Sequence, residues 1–517
     1  MPKINMPSFV VTRRIYTEPW QADFIDKKMD LANRIYNNAV RYLKPAVEEL
    51  RRDAWFVKNL ALWRACGDSN EKLKKQYAEE IGLCIRAYGL AEYDIHAFMG
   101  CGKQQSFPDG LGINIVQKLG TALYRSIRKA LFSGTEIHFR KHGQTCSLED
   151  KKASSGIIYK AKTDSVSFMG LKLRLKPVRK TDRYLMEAMC GRIKYCRIVR
   201  ETIHGKYRYF LQLVMEGTAP EKLVQGKGTG GLDPGVSTMA FVSDKKAGFY
   251  VLAEGVEKYE HAIRDAATKY ERRRRLANPQ NYNPDGTVKR DTKTFKKHWN
   301  RTKGMQKALM ELKSEYRKKS VFIKNRHGYL SNRIVESCHI LYKEPMDYRA
   351  LAKRAKDLAR QDKESAVKKK DGTTAIVHKY KRKKRFGSSI GRRAPASFVK
   401  MLETKIRKCG GLVVNVDPAA FKASQYDHVS DTYKKPALSD RVKEVGGYKV
   451  QRDLYSAFLL SNAAGPERPD RDRCLKEFGR FLELQDGAMF DVMMAGDSTK
   501  NFGLMFFLSV HPAESAA

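Results

Sequence analysis

Gly230-Gly231-Leu232-Asp233-Pro234-Gly235 is the stretch on which the reading of this chain turns. A glycine pair leads into a short apolar step, and an aspartate then stands before Pro-Gly. Val236, Met239, Ala240, Phe241 and Val242 follow with a strand-like pattern. The pattern predicts a strand that carries a carboxylate to a tight turn, where a phosphate can approach. Asp-Pro-Gly is also a common turn by itself. Two further acids, Glu344 and Asp453, sit in settings that give the first one its meaning.

Cys338–Lys343 reads as a compact apolar strand, and Glu344 ends it. Gly447–Asn462 reads as a helix in which Val450, Leu454, Ala457, Phe458 and Ser461 form one packed stripe. Asp453 lies three residues from Val450 and four from Ala457, at the edge of that stripe, where its carboxylate can point back at a sheet. Three carboxylates brought together suit Mg²⁺, because two hard cations ~4 Å apart need oxygen ligands that also neutralise charge. The chain has 57 acidic residues, so acids alone mean little. The order matters: Asp on a first strand, Glu after an apolar later strand, Asp on a late helix.

Composition narrows the partners. The chain has 517 residues, enough for about three domains. Its 100 Lys and Arg residues leave a net charge of +43. Such a surface gains salt-dependent affinity for polyanions by releasing condensed counterions, which points to nucleic acid. No apolar run approaches ~18 residues and no signal-like segment is read at Met1–Val11, so the expectation is a soluble cytoplasmic protein acting at the nucleoid. Nine scattered cysteines with no Cys-x-x-Cys pair read as reduced thiols.

The chain as a whole reads as an α+β multidomain protein. Phe9–Ile15 is predicted as a strand. Ala22–Ala65, with a break near Pro45, Glu71–Tyr93 and Ile113–Ala130 are predicted helices. Ile193–Val199 and Tyr207–Val214 flank His204-Gly205 as a hairpin. This gives a β-domain from 1–20 and 131–225, a helical insert over 21–130, and a third region over 226–464. Within that region, 256–338 is a basic helical insertion and Leu412–Val416 a buried strand. Arg349–Arg385 reads as a basic loop or part-helix, and 465–517 as a tail without a usable motif. The basic clusters Arg272, Arg273, Arg274 and Arg275, then Lys381, Arg382, Lys383, Lys384 and Arg385, and Arg392 with Arg393, are candidate nucleic-acid contacts.

At these motifs the chain resembles a known family. Gly231–Ser237 is similar to the first RuvC motif of the TnpB nucleases and the related type V CRISPR effectors. Ile340-Leu341-Tyr342-Lys343-Glu344 is similar to the second, and Gln451-Arg452-Asp453-Leu454-Tyr455-Ser456-Ala457 to the third. Phe398–Cys409, Gly410-Gly411, Val413–Pro418 and Ala423-Ser424-Gln425 resemble the helix, glycine, strand and Thr-Ser-Gln sequence between them. The resemblance covers about 226–464. It implies an RNase H-like (RuvC) nuclease domain there, and an N-terminal wedge-type β-barrel with a helical recognition insert. It further implies an RNA-guided DNA endonuclease with a guide RNA, a double-stranded DNA target bearing a short flanking motif, and two Mg²⁺ held by Asp233, Glu344 and Asp453. Both a monomer and a homodimer are compatible with it.

Three departures stand out. The family's zinc ribbon uses two Cys-x-x-Cys pairs, but no cysteine lies between Cys409 and Cys474. Region 417–450 is therefore expected to be a degenerate ribbon without structural zinc, held by Phe421, Tyr426, Tyr433, Leu438 and Tyr448. Pro345 follows Glu344 where the family more often has Asp or Asn, and Tyr455 replaces an asparagine. Two other readings stay open: a guided DNA-binding protein that does not cut, and an RNA-independent transposase or resolvase of the same fold.

Overall fold

The computed structural model describes residues 7–66, 70–106, 110–221, 223–292, 294–352, 360–368, 373–380, 386–437 and 440–494. The chain is α+β and divides into two compact units, Met1–Pro220 and Glu221–Ala517.

The first unit opens with strand β1 (Ser8–Tyr16). Five helices follow: α1 (Pro19–Leu50), α2 (Ala54–Ala65), α3 (Glu71–Ala87), α4 (Glu92–Ser106) and α5 (Ile113–Ser133). Helix α1 runs through Pro45, contrary to the expected break. Val47 and Leu50 continue its buried stripe past the proline, and packing holds the turn that lacks an N–H. The chain breaks instead at Asp53, whose carboxylate accepts the Phe56 N–H and caps α2. Strands β2 (Ser147–Glu149), β3 (Ile157–Lys160), β4 (Ser165–Phe168) and β5 (Leu171–Leu175), short helix α6 (Arg183–Met189), and strands β6 (Ile193–Ile203) and β7 (Lys206–Glu216) complete the unit. The strands form one antiparallel sheet, ordered β2-β6-β7-β1-β5-β4-β3. The β6–β7 hairpin turns at His204 and Gly205, both at positive φ as a two-residue turn needs. The buried Arg13 guanidinium on β1 is paired in two bonds to Asp164 (2.7 and 2.8 Å), which removes the cost of an isolated buried charge.

The second unit is built on a five-stranded sheet. Strands β8 (Thr229–Pro234), β9 (Thr238–Ser243) and β10 (Lys246–Val251) form a meander. Helices α7 (Lys258–Ala277) and α8 (Lys303–Val335) then lead to β11 (Ile340–Lys343), which pairs parallel to β8. After α9 (Tyr348–Ala352) comes an antiparallel hairpin of β12 (Arg360–Lys368) and β13 (Thr374–Tyr380). The expected loop or part-helix over Arg349–Arg385 thus contains two strands; the β-branched residues Val367, Ile376 and Val377 are the signal that its charge obscured. Helices α10 (Gly387–Arg393) and α11 (Pro395–Lys408) precede β14 (Leu412–Asn415). The sheet order is β10-β9-β8-β11-β14. β14 is an edge strand with Leu412 55% exposed, so the buried strand expected there is only half covered.

Gly230 and Leu232 face one side of β8, toward Phe241, Cys338 and the core under α8 and α11. Gly231 faces the other side, against helix α13 (Arg452–Ser461). A Cβ at Gly231 would collide with the Ala457 carbonyl and the Ser461 N–H of that helix. The glycine is required by close backbone approach and not by a turn.

The region 417–451 holds helix α12 (Pro418–Phe421) and two small hairpins, β15 (Tyr426–Asp427) with β16 (Thr432–Tyr433) and β17 (Val442–Val445) with β18 (Tyr448–Gln451). The segment expected to begin the last helix, Gly447–Gln451, is thus largely strand. Of the aromatic residues named above, Phe421 and Tyr426 are buried. Tyr433 and Tyr448 are half exposed but rest on Tyr426 (4.9 Å) and Phe478 (6.0 Å). Leu438 lies outside the described residues. The centre of the region is His428, fully buried among Tyr455, Phe458 and Phe478. The Tyr455 hydroxyl lies 2.7 Å from His428 Nδ1 and accepts the His428 backbone N–H at 3.2 Å. Tyr455 is the anchor of this region.

Helix α14 (Arg471–Met494) occupies the stretch read as a motifless tail. Cys474, Phe478, Phe481, Gln485, Ala488, Met489 and Val492 form its buried stripe, and it closes the same core as α13. Among the described residues no helix is long and apolar enough to cross a membrane.

Two outcomes follow. Gly231→Ala is expected to destabilise the second unit by about 2–3 kcal/mol through overpacking, seen as a thermal midpoint several degrees lower. Tyr455→Phe leaves the buried His428 N–H without an acceptor and should cost about 1–3 kcal/mol, read from the denaturant midpoint at unchanged slope.

Candidate functional site

Strand parity decides where the three acids go. Asp233 is two residues beyond Gly231 on β8 and shares its face, toward α13. In the parallel pairing Tyr342 lies opposite Gly231 and Lys343 opposite Leu232, so Glu344 continues the register opposite Asp233. Neighbouring strands lie about 4.8 Å apart. Tyr342 packs into the core beneath α13, and Glu344 takes the same side. Lys343 points the other way and, buried, pairs with Glu403 of α11 at 3.2 Å. Asp453 stands in the first turn of α13, one turn before Ala457, and not in the middle of a longer helix.

Two of the acids act on the third. Burial raises the Asp233 carboxyl well above the ordinary carboxylate range, and the charges of Asp453 and Glu344 raise it further; only Arg452 pulls it down. Burial also raises Glu344. Asp453 has the arginines: Arg452 donates from Nε and Nη2 to Oδ1, each at 3.1 Å, and Arg441 from Nη1 to Oδ2 at 3.4 Å. Arg452 also donates to the Asp440 carbonyl at 2.8 Å, tying Asp453 to the strand entering β17. Among the described residues no three His, Cys, Asp or Glu side chains form a ready-made metal-holding group. Glu344 and Asp453 stand within electrostatic reach of Asp233, with the ligand shell not drawn closed.

Tyr348 is a neighbour that sequence reasoning missed. Its hydroxyl donates to the Gly235 carbonyl at 3.3 Å, and it is near enough to Asp233 that burial and that carboxylate both raise its pKa. It fastens the Asp-Pro-Gly turn to the segment that follows Glu344. Its place four residues after Glu344 is the only signal the sequence carries. Arg452 was legible as the neighbour of Asp453; Arg441 was not.

The candidate nucleic-acid contacts divide. Arg272 is exposed on α7. Arg273 donates to the Gly304 carbonyl, Arg274 pairs with Glu271 and stacks 4.1 Å over Trp299, and Arg275 donates to the Gly286 carbonyl. Arg393 donates to the Leu252 carbonyl and pairs with Glu257, and Arg392 lies 3.9 Å from Glu260. These five guanidinium groups brace the protein's own loops and helices. Lys381, Arg382, Lys383, Lys384 and Arg385 lie outside the described residues.

No protein-family model matches the chain, and no curated protein matches it. Solved structures to which the chain is similar include a Cas12f1–sgRNA–target DNA complex, at 10% identity and TM-score 0.44 over 89% of this chain and 99% of that one. A CRISPR-Cas12f ternary complex is similar at 13% identity and TM-score 0.24, over 86% and 83% of the two chains. A Cas12i1 R-loop complex before target DNA cleavage is similar at 9% identity and TM-score 0.23, over 78% and 58%. Likeness of this size assigns no activity.

An acid whose pKa is raised by folding holds its proton more tightly when folded. The folded state therefore loses stability as pH rises from the unfolded value, near 4, toward the raised one. Asp233→Asn should accordingly stabilise the metal-free protein at neutral pH. The gain in thermal midpoint should shrink to nothing below about pH 4, where the wild-type carboxyl is protonated in both states.

Proposed function

We propose that the protein is an RNA-guided DNA endonuclease that hydrolyses target DNA at a single RuvC-like site in its second unit. One observation carries the reading: Asp233 on β8, Glu344 just after β11 and Asp453 on α13, far apart in sequence, come near enough that the latter two act on the Asp233 carboxyl. The sheet supports it, because the order β10-β9-β8-β11-β14, with β8, β11 and β14 parallel and β9 antiparallel to its neighbours β8 and β10, is the RNase H-like order. The order of motifs along the chain supports it too.

The donor set fits Mg²⁺. All three groups are carboxylates, the charge that Glu344 and Asp453 bring to bear on Asp233 is what a divalent cation relieves, and among the described residues no lysine or arginine forms an ion pair with Asp233 or Glu344. When bound, the ions supply charge neutralisation and a water of lowered pKa. The chain's own residues do the rest. Arg452 and Arg441 orient the Asp453 carboxylate. Tyr348 fixes the turn after Asp233, and Pro345 ends the strand at Glu344 because it has no N–H to continue the ladder. Structural zinc has no part in this reading, because no cysteine lies between Cys409 and Cys474 and the buried His428 is enclosed by aromatic rings.

One observation favours a second reading, guided DNA binding without cleavage: Asp453 is already neutralised by two arginines.

Asp233→Ala, Glu344→Ala and Asp453→Ala are each expected to abolish Mg²⁺-dependent cleavage of guide-matched DNA while leaving guided binding within a few-fold. Near wild-type cutting by Asp453→Ala would refute the site. Absence of cleavage in the wild type under Mg²⁺, with guided binding intact, would establish the second reading. Chelation should stop cutting without unfolding the chain, Mg²⁺ alone should restore it, and elemental analysis showing about one zinc per chain would overturn the zinc-free account.

A further inference from the structure

Strand β10 is the outermost strand of the five-stranded sheet, and among the described strands only β9 pairs with it. The Leu252 N–H donates to the Ser237 carbonyl at 2.8 Å, just past the last pair of that ladder. Bonded pairs alternate along an antiparallel ladder, so Lys246, Gly248 and Tyr250 turn their backbone groups to β9. Ala247 and Val251 turn theirs the other way, to the outer edge. Such an edge is a template for a further strand, and native proteins shorten, charge or cover it.

Helices flank this edge on both faces of the sheet. Ala488 and Val492 of α14 share a core with Ala247 and Val251, and Leu330 of α8 shares another with Tyr250 on the opposite face. Between the two helices an open groove of about 480 Å³ runs the length of β10. Leu330, Leu484, Ala488 and Val492 give it apolar walls. Arg326 and Arg333 stand on the α8 side, and Glu483 and Asp491 on the α14 side. Charge of both signs makes the groove a poor cradle for a polyanion. A strand edge between apolar walls suits an extended, apolar stretch of polypeptide.

The chain supplies one. Helix α14 runs beside β10 in the same direction. Glu477 and Phe481 lie with Ser243 and Asp244 near the start of the strand, and Asp491 is in electrostatic reach of Tyr250 near its end. The chain therefore leaves α14, at Met494, beside the end of β10, and Phe490 and Met494 are exposed there. Residues 495–517 lie outside the described residues. Their sequence contains Phe502-Gly503-Leu504-Met505-Phe506-Phe507-Leu508-Ser509-Val510, an apolar run. Gly496-Asp497-Ser498 precedes it and His511-Pro512 follows it, turn signals of the kind that bound a buried strand. The stretch 495–501 can span ~23 Å when extended, enough to reverse direction. A chain that reverses at the end of α14 enters the groove antiparallel to β10.

We propose that residues 502–510 fill the groove between α8 and α14 as a sixth strand of the sheet, antiparallel to β10. The strand pairs with the backbone groups of Ala247 and Val251, buries its leucines and phenylalanines against the two helices, and closes the edge to other chains. This goes beyond the proposed function and does not depend on it.

Hydrogen exchange of the full chain, read by mass spectrometry, tests the proposal. In the wild type the amides of 504–508 should exchange at least about tenfold more slowly than in an unstructured peptide of the same sequence. Exchange at the unstructured rate would overturn the proposal. Ala247→Pro removes one outward N–H and leaves the ladder to β9 intact, because the lost donor faces away from it. It should speed exchange of 504–508 about tenfold while the amides of β9 stay protected. Protection of 504–508 that survives Ala247→Pro unchanged would place the segment elsewhere. If Ala247→Pro melts below the assay temperature, Leu504→Pro with Phe507→Pro should instead speed exchange at Ala247 and Val251, since one of the two prolines falls on a bonding position in either register. Unchanged exchange there would equally sink the idea. Protection should also be constant over about a hundredfold dilution of the protein. Protection lost on dilution would assign the groove to a second copy of the chain and overturn the proposal.

Discussion

Helix α13 lies on strand β8 at a separation that only a glycine permits. The Ala457 carbonyl and Ser461 N–H occupy the space where a side chain at Gly231 would be. Both the fold and the site depend on that contact. Because the helix touches the strand at Gly231, the next residue on the same face, Asp233, emerges beside the helix's first turn, where Asp453 stands. Because β11 pairs in parallel with β8 at the same level, Glu344 comes up alongside. A one-residue slip in either register would send a carboxylate into the apolar layer under α8 and α11, where Leu232 and Leu341 are fully buried.

The placement of charge follows a division. The acids are gathered at one end of the sheet, where Glu344 and Asp453 act on the buried Asp233 carboxyl. The basic residues lie elsewhere, many of them on the α7–α8 hairpin. In the proposed nuclease, affinity for nucleic acid and chemistry upon it come from separate parts of one unit. Arg441 and Arg452 stand between these roles. They neutralise Asp453 while linking it to the β17 hairpin, so that the third acid is positioned by the same small region that holds His428 and Tyr455.

The strands β8 to β11, the hairpin β6–β7 and the order of the acids were legible because each is written in a local pattern: alternation, a turn pair, an apolar run ending in an acid. Other parts were obscured by physical competition. Pro45 reads as a helix break, yet the buried stripe through Val47 and Leu50 overrides it. Tyr448–Gln451 continues smoothly into a helical stripe, and only its pairing with β17 makes it a strand. Helix α14 has a clear apolar stripe, but a stripe without a motif gives no hint of which core it closes. At the site, the acids could be named from sequence, whereas Tyr348 and Arg441 gain their places only through loops that fold back in space.

The histidine at the centre of the aromatic cluster makes the second unit sensitive to acid. His428 is buried as a neutral ring, its pKa lowered to about 4 by loss of solvent. His327 on α8, packed edge-on against Phe398 of α11, is lowered to about 4 for the same reason. An unfolded chain protonates these rings near pH 6.5, so between that value and about 4 the unfolded state takes up protons that the folded state refuses, and stability falls as pH falls. Each ring can cost about 3 kcal/mol across that interval, on the order of a third of the stability of a typical domain. The two rings lie in different core layers, one on each side of the sheet. Mild acidification therefore weakens both layers together, opposed at the sheet by Asp233 and Glu344, whose raised carboxyls favour the folded state as pH falls.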